Sequence, residues 1–382
     1  MPATRFLQIH TLHSYTAALL NRDDSGLAKR LPYGGVLRTR ISSQCLKRHW
    51  RKAENDPHSL LAIDGSKQAY RSRELVTRMI IEPLKEKYPI EVIDALEPEF
   101  QKAVYGDKAD KGKQSRQTLL FGAPEIRWLA AEAEKLASQS ENAKAAKEAV
   151  STWAKSFKEN IKVLRETTAL PGGFAAALFG RMVTSDPAAN IEAPVHVAHA
   201  FTVHAAETES DYFTAMDDLK EDADDGGADT IQETELTSGL FYGYVVVDIP
   251  GLIKNCGGDA DKDSARKLAA RVVHNLIYLI AEVSPGAKLG STAPYDRASF
   301  LLLETGDRQP RSLAGAFRKA VEPDLDRAVE ALGKHLSGLD QAYSTGETRK
   351  CLSLASIELP GLAKASLPDL ATWAAGQVGE AV

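Results

Sequence analysis

Apolar and polar residues alternate with a period of two over residues 5–13. Leu7, Ile9 and Thr11 fall on one side and Phe6, Gln8 and His10 on the other, which predicts a half-buried strand. On that reading Phe6 joins the core and His10 is a surface polar residue; stacking of the two on nucleic-acid bases is the alternative. Strand-like text returns at 175–183, 240–249 and 298–303, with Val245, Val246 and Val247 suited to a buried position. Elsewhere the period lengthens. Over 73–88, 123–137 and 142–164 apolar residues recur three and four apart among Ala, Glu, Lys and Leu, which predicts a helical insertion between about residues 54 and 166. Residues 263–283 predict an amphipathic helix stopped by Ser284, Pro285 and Gly286, and two more helices are expected over 312–321 and 323–339. This order of strands and helices is compatible with an α+β fold.

Composition narrows the function classes. With 382 residues, 43% of them apolar, the chain can bury two or three structural units. Cys45, Cys256 and Cys351 are odd in number, far apart and outside any CxxC pair, so reduced thiols in a cytoplasmic protein are expected, without a disulfide framework or a zinc cluster. The N-terminus lacks an apolar signal core, and the longest apolar run, 276–283, is too short to span a bilayer, so no membrane role is expected. There is no Walker-type element and no nucleophile elbow.

Charge changes the picture most. The net charge is -5, yet residues 21–52 hold nine Lys and Arg against only Asp23 and Asp24. Gly34 and Gly35 supply a turn, and Ser42 and Ser43 then open a helix in which Gln44, Lys47, Arg48 and Arg51 share a face. A capped helix N-terminus beside Arg and Lys favours phosphates, whereas a basic face alone is often only solvated surface. The polar connector 105–116, with Lys108, Lys111, Lys113 and Arg116, reads either as solvent-facing loop or as a nucleic-acid contact.

The opposite bias marks residues 206–239. Twelve Asp and Glu but a single Lys220 lie between Glu207 and Glu235. The fragment 222–233 starts like an EF-hand loop, but Gly226 and Asp229 break that pattern, and a long exposed excursion between two strands is the better reading. His196, His199 and His204 invite a metal. In one continuous strand they would split between two faces, so metal binding is not expected.

Taken in order, several short motifs resemble the CasC family, the backbone subunit of the type I-E CRISPR surveillance complex Cascade. They are FLQIH at Phe6, LNRDD at Leu20, Gly34-Gly35, RISSQ-x-LKR-x-x-R at Arg40, GRM at Gly180, AHA at Ala198, FTAMDDL at Phe213, SG-x-FY-x-Y at Ser238 and PGAK at Pro285. The resemblance implies a ferredoxin-like, RRM-type palm over 1–54, 167–205 and 240–382, a helical fingers insertion over 55–166, and a β-hairpin-like thumb over 206–239. It implies RNA-binding roles for Arg22, Lys29, Arg40, Ser42, Gln44, Lys47 and Arg51 in the palm, for Met182 as a wedge, for Tyr212, Phe213, Thr214 and Ile231 on the thumb, and for Lys288 near the guide. Gly243 and Gly290 stand where family members carry arginine.

Further expectations come with the resemblance. The chain would be non-catalytic, with no cofactor and no metal, and about six copies would polymerise head-to-tail along a CRISPR RNA, presenting it in kinked segments to target DNA. Its other partners would be the remaining Cascade subunits and a recruited helicase-nuclease. Two alternatives stay open: a metal-dependent RNase that cuts bound RNA through Asp23 and Asp24, and an unrelated self-assembling structural protein.

Overall fold

A computed structural model describes residues 4–106, 109, 112–167, 170–183, 186–215, 230–258 and 261–379. In chain order the chain forms β1 (Phe6–Ala18), β2 (Arg30–Tyr33), β3 (Val36–Ile41), α1 (Ser43–Lys52), β4 (Ala69–Ser72), α2 (Ile90–Tyr105), β5 (Leu119–Gly122), α3 (Ala123–Ser138), α4 (Ala143–Thr167) and α5 (Gly173–Phe179). It continues through β6 (Val195–Val197), β7 (Ala200–Thr202), β8 (Glu207–Ala215), β9 (Thr230–Asp248), α6 (Ile249–Ile253), α7 (Lys262–Glu282), α8 (Leu289–Thr292), β10 (Phe300–Gly306), α9 (Leu325–Tyr343), β11 (Thr348–Ser353), β12 (Ala363–Lys364) and α10 (Leu367–Gly379). The class is α+β.

Two compact units divide the chain: residues 1–59, 196–249 and 270–382 form the first, and 60–195 with 250–269 the second. Residues 167–195, assigned to the palm from the sequence, pack within the second unit.

The first unit is built on one sheet, in the order β12-β11-β10-β1-β9-β7-β3-β2, with β8 paired to the first half of β9. β1 lies between β10 and β9 and is antiparallel to both. That central position corrects the half-buried expectation. Leu7, Ile9 and Leu12 are fully buried, but so is His10, because α9 and the turn at 314–317 cover the second face. His10 therefore cannot stack on a base. Its Nε2–H donates to Glu304 at 2.9 Å and its Nδ1 shares a hydrogen bond with the Tyr242 hydroxyl at 2.8 Å. Gln8 on the same face accepts from the Tyr244 hydroxyl and the Arg311 amide, each at 2.8 Å. A polar residue can sit inside a sheet when its groups find partners, as both ring nitrogens of His10 and the side-chain oxygen of Gln8 do.

The second unit buries one core from α2, α3 and α4 around Leu96, Phe100, Leu129, Val150 and Trp153, with Trp153 stacked on Phe100. Helices form at 123–138 and 143–167 as the period predicts. Over 73–88 the expected single helix is a short π-type turn, Val76–Ile81, followed by a 3-10 turn, Glu82–Leu84, since Pro83 supplies no amide hydrogen. The ribbon of β4 and β5 has no counterpart in the sequence reading.

Two more expectations are corrected. Residues 175–183 are not a strand: 173–179 are α5, in which three alanines and a leucine outweigh the apparent β pattern. The helix expected at 312–321 is a single 3-10 turn, Ala314–Phe317. The neighbouring helix forms as α9, capped by the Asp324 carboxylate on the Arg327 amide at 2.9 Å.

Candidate nucleic-acid interface

The basic stretch folds into one joined surface of the first unit. Asn21 holds it together: its carbonyl accepts from the Lys29 amide at 2.9 Å, and its side-chain oxygen accepts from the Ser42 amide at 2.8 Å. Arg22 bridges to Ala28, and the Arg40 amide donates to the Lys29 carbonyl at 2.7 Å. Ser42 is the N-cap of α1, its hydroxyl accepting from the Cys45 amide at 3.2 Å. Ser42 is buried, whereas Gln44 and Arg48 are exposed on the first turns of the helix. The capped N-terminus, Lys29 and Arg40 thus meet within one network, next to Lys47 on α1. Arg22 and Arg51 belong to the same unit, Arg22 exposed and Arg51 half-buried.

Charge counting overstates this surface by at least one residue. Arg38 is fully buried, and its guanidinium donates to the carbonyls of Tyr33, Thr202 and Phe317 at 3.3, 3.2 and 2.9 Å. It ties the hairpin of β2 and β3 to β7 and to the 3-10 turn. Gly34 completes that clamp: φ is +63°, and a Cβ there would lie 1.5 Å from the Arg318 carbonyl oxygen. Asp23 is also committed locally, accepting from the amides of Ser25 and Leu27 at 2.9 and 3.0 Å.

The acidic excursion leaves the sheet as the antiparallel ribbon of β8 and β9, with Tyr212 opposite Glu233 and Thr214 opposite Ile231. Tyr212 and Phe213, as neighbours in one strand, point to opposite faces. Both are exposed, at 62% and 40%. Residues 216–229, with most of the EF-hand-like fragment and FTAMDDL beyond Ala215, lie outside the described residues.

Each face of the ribbon's stem has its own anchor. On one, Glu235 accepts from the Ala28 amide at 2.6 Å and pairs with the Arg30 guanidinium. On the other, Lys288 donates to the Thr234 hydroxyl at 2.6 Å, with its ammonium 5.3 Å from the centre of the Phe213 ring. The Lys288 loop is fastened to the basic surface through the Ala287 amide on the Leu19 carbonyl, 2.9 Å, and the Gly286 amide on His49 Nε2, 3.4 Å. At the stem, Glu235 engages the basic loop of its own chain, a pairing of residues two hundred positions apart that no local pattern signals.

The histidines do not converge. His196 is exposed on β6, His199 lies between β6 and β7 against Arg40, and His204 is buried, accepting from the Leu240 amide through Nε2 at 3.2 Å. No group of His, Cys, Asp or Glu suited to a metal occurs among the described residues. Of the connector 105–116, Arg116 is turned inward onto the Ala109 carbonyl and Gln101, and Lys113 pairs with Glu74; Lys108 and Lys111 lie outside the described residues.

Met182 belongs to the second unit and is 67% exposed. The GRM motif explains its display. Gly180 has φ +74° with Ile191 and Ala193 packed against it, and Arg181 is buried on Glu125 at 2.7 Å, which leaves Met182 projecting. Among the described residues no helix is long and apolar enough to cross a membrane.

No curated protein matches the sequence. Solved structures do. A chain of "CRISPR RNA-guided surveillance complex, pre-nicking" is 26% identical and superposes with a TM-score of 0.79, over 98% of this chain and 100% of that one. A chain of "CRISPR RNA-guided surveillance complex" is 21% identical with a TM-score of 0.59, over 97% of this chain and 98% of that one, and shares the fold. The family model described as CT1975-like protein matches residues 7–373, and the chain therefore belongs to the CT1975-like family of Cas proteins.

Proposed function

We propose that the chain is a non-catalytic backbone subunit of a type I-E CRISPR surveillance complex. In this reading it polymerises along the spacer of a CRISPR RNA in the cytoplasm, about six copies head-to-tail, and presents the guide in kinked segments for pairing with target DNA. The observation that carries it is the convergence of Lys29, Arg40 and the capped N-terminus of α1 with a ribbon that exposes Tyr212 and Phe213. Backbone phosphates suit the first group and bases the second. Ser42 would act through the helix amides it orders.

The palm reading has support in topology. β1, β7, β9 and β10, with α1 following the first and α7 the third, lie in the order β10-β1-β9-β7, the arrangement of a ferredoxin-like split βαβ unit. The helical second unit would be the fingers and the β8–β9 ribbon the thumb. Other subunits of the complex and a recruited helicase-nuclease complete the assembly in this proposal, with cleavage left to the latter. The turn bonds of Asp23 argue against the RNase alternative.

RNase footprinting of a CRISPR RNA co-expressed with the chain tests the proposal. Protection interrupted at regular intervals is the expected result. Purified protein free of nucleic acid and unable to bind single-stranded RNA would favour the structural-protein alternative, and phased cuts in added complementary RNA with magnesium would favour the RNase.

A further inference from the structure

His199 was set aside as a metal ligand, yet its surroundings define another role. Its Nδ1 lies 3.0 Å from a terminal nitrogen of Arg40. A guanidinium only donates, so Nδ1 accepts, and the neutral ring carries its hydrogen on Nε2. Arg40 is itself held, through its Nε on the Arg30 carbonyl at 3.3 Å and its amide on Lys29. The side chain of His199 is exposed.

The charged groups acting on the ring are Arg40 from β3, Lys29 from the loop before β2 and Lys47 from α1; β9 contributes to this segment the Tyr244 carbonyl, which accepts from the Ala198 amide. Partial burial and then these three cations hold the imidazole below its ordinary value. A neutral N–H donor among three cations is suited to an oxyanion, since the cations supply the charge and the ring supplies a directed hydrogen.

We propose that His199 is a further phosphate-contacting residue, its Nε2–H donating to a backbone oxygen of bound RNA beside Arg40, Lys29 and Lys47. This rests on the RNA-binding reading above. A docked phosphate offsets the cations and makes protonation of the ring easier; Nδ1 then no longer accepts from Arg40, whose terminal nitrogen turns to the same phosphate, and RNA binding takes up a proton. Affinity then strengthens as pH falls from about 8 to about 6.

The test is fluorescence anisotropy of the full chain with a labelled single-stranded RNA of about 30 nucleotides, at several pH values. His199→Gln is expected to weaken binding about 5-fold at the acidic end and less at the alkaline end, flattening the profile. His196→Gln keeps the wild-type profile. His199→Lys restores the affinity and removes the pH dependence, whereas a residue that only orients Arg40 would bind worse as lysine. Parallel profiles for wild type and His199→Gln, with affinities within about twofold, would overturn the assignment. Absence of RNA binding by the wild type would overturn the RNA reading itself and this inference with it.

Discussion

The ammonium of Lys288 lies 5.3 Å from the centre of the Phe213 ring, and the same ammonium donates to Thr234. A cation that the family resemblance sets beside the guide is here fastened to the ribbon that carries the aromatic residue. It orients Phe213 and supports one face of its ring.

Lys288→Met should therefore weaken RNA binding about threefold, the scale of an exposed cation–π contact, without changing the salt dependence. Phe213→Ala should cost about 1–3 kcal/mol for a stacked base, and the double variant little more than Phe213→Ala alone. Binding isotherms across a salt series decide the matter. A slope lowered by about one in Lys288→Met would make that lysine a phosphate ligand.

Lys47→Ala and Arg51→Ala should weaken binding nearly independently of RNA sequence, each lowering the logarithmic salt slope by about 0.7 for a single strand. An unchanged slope would remove that side chain from the phosphate surface.

Glu235 joins the ribbon to the basic loop. Glu235→Ala leaves the buried Ala28 amide without its acceptor and should cost about 1–3 kcal/mol of stability. Glu235→Gln keeps an acceptor and loses only the ion pair to the partly exposed Arg30, for which under about 1 kcal/mol is expected. Urea denaturation midpoints separate the two.

The two halves of the GRM motif should behave in opposite ways. Met182→Ala is expected to leave stability within about 0.5 kcal/mol, since the side chain is 67% exposed, while altering the footprint of the bound guide. Arg181→Met removes one partner of the buried Glu125 carboxylate and should cost about 3–5 kcal/mol. Thermal melts and footprints of both variants provide the comparison.

Acid should destabilise the first unit in two stages. Burial holds His10 below its ordinary 6.5, so from that pH downward an unfolded chain binds a proton that the folded one refuses, and stability falls. Burial alone would raise Glu304, but hydrogen bonds from Arg311 and His10 outweigh it and hold the carboxyl far below its ordinary 4.5. The Glu304 contribution is thus present above about 4.5 and is lost as pH falls toward the depressed folded value. His10→Gln should flatten the upper stage of a denaturation series between about pH 7 and 5, and an unaltered slope there would assign the loss to other groups.

Legibility followed the range of the interactions. Periodicity located α3, α4, α7, α9 and the strand of Val245 to Val247, because a helix or strand face repeats within a few residues. It misread 175–183, where a short alanine-rich helix and a brief strand look alike, and it left His10 at the surface because burial on both faces depends on what packs from elsewhere.

Residues 21–52 disclosed their charge and their helix cap by themselves, since both are local properties of composition and of Ser42. Only the tertiary structure decided how those charges are used. It buried Arg38 under the distant carbonyls of Thr202 and Phe317, joined Glu235 to Arg30, set Lys288 against Phe213 and brought His199 to Arg40. These join residues 75 positions apart for Lys288 and Phe213 and from 159 to 279 apart for the others, and the geometry of Arg38 and His199 exists only once the sheet has aligned β3, β7 and β9.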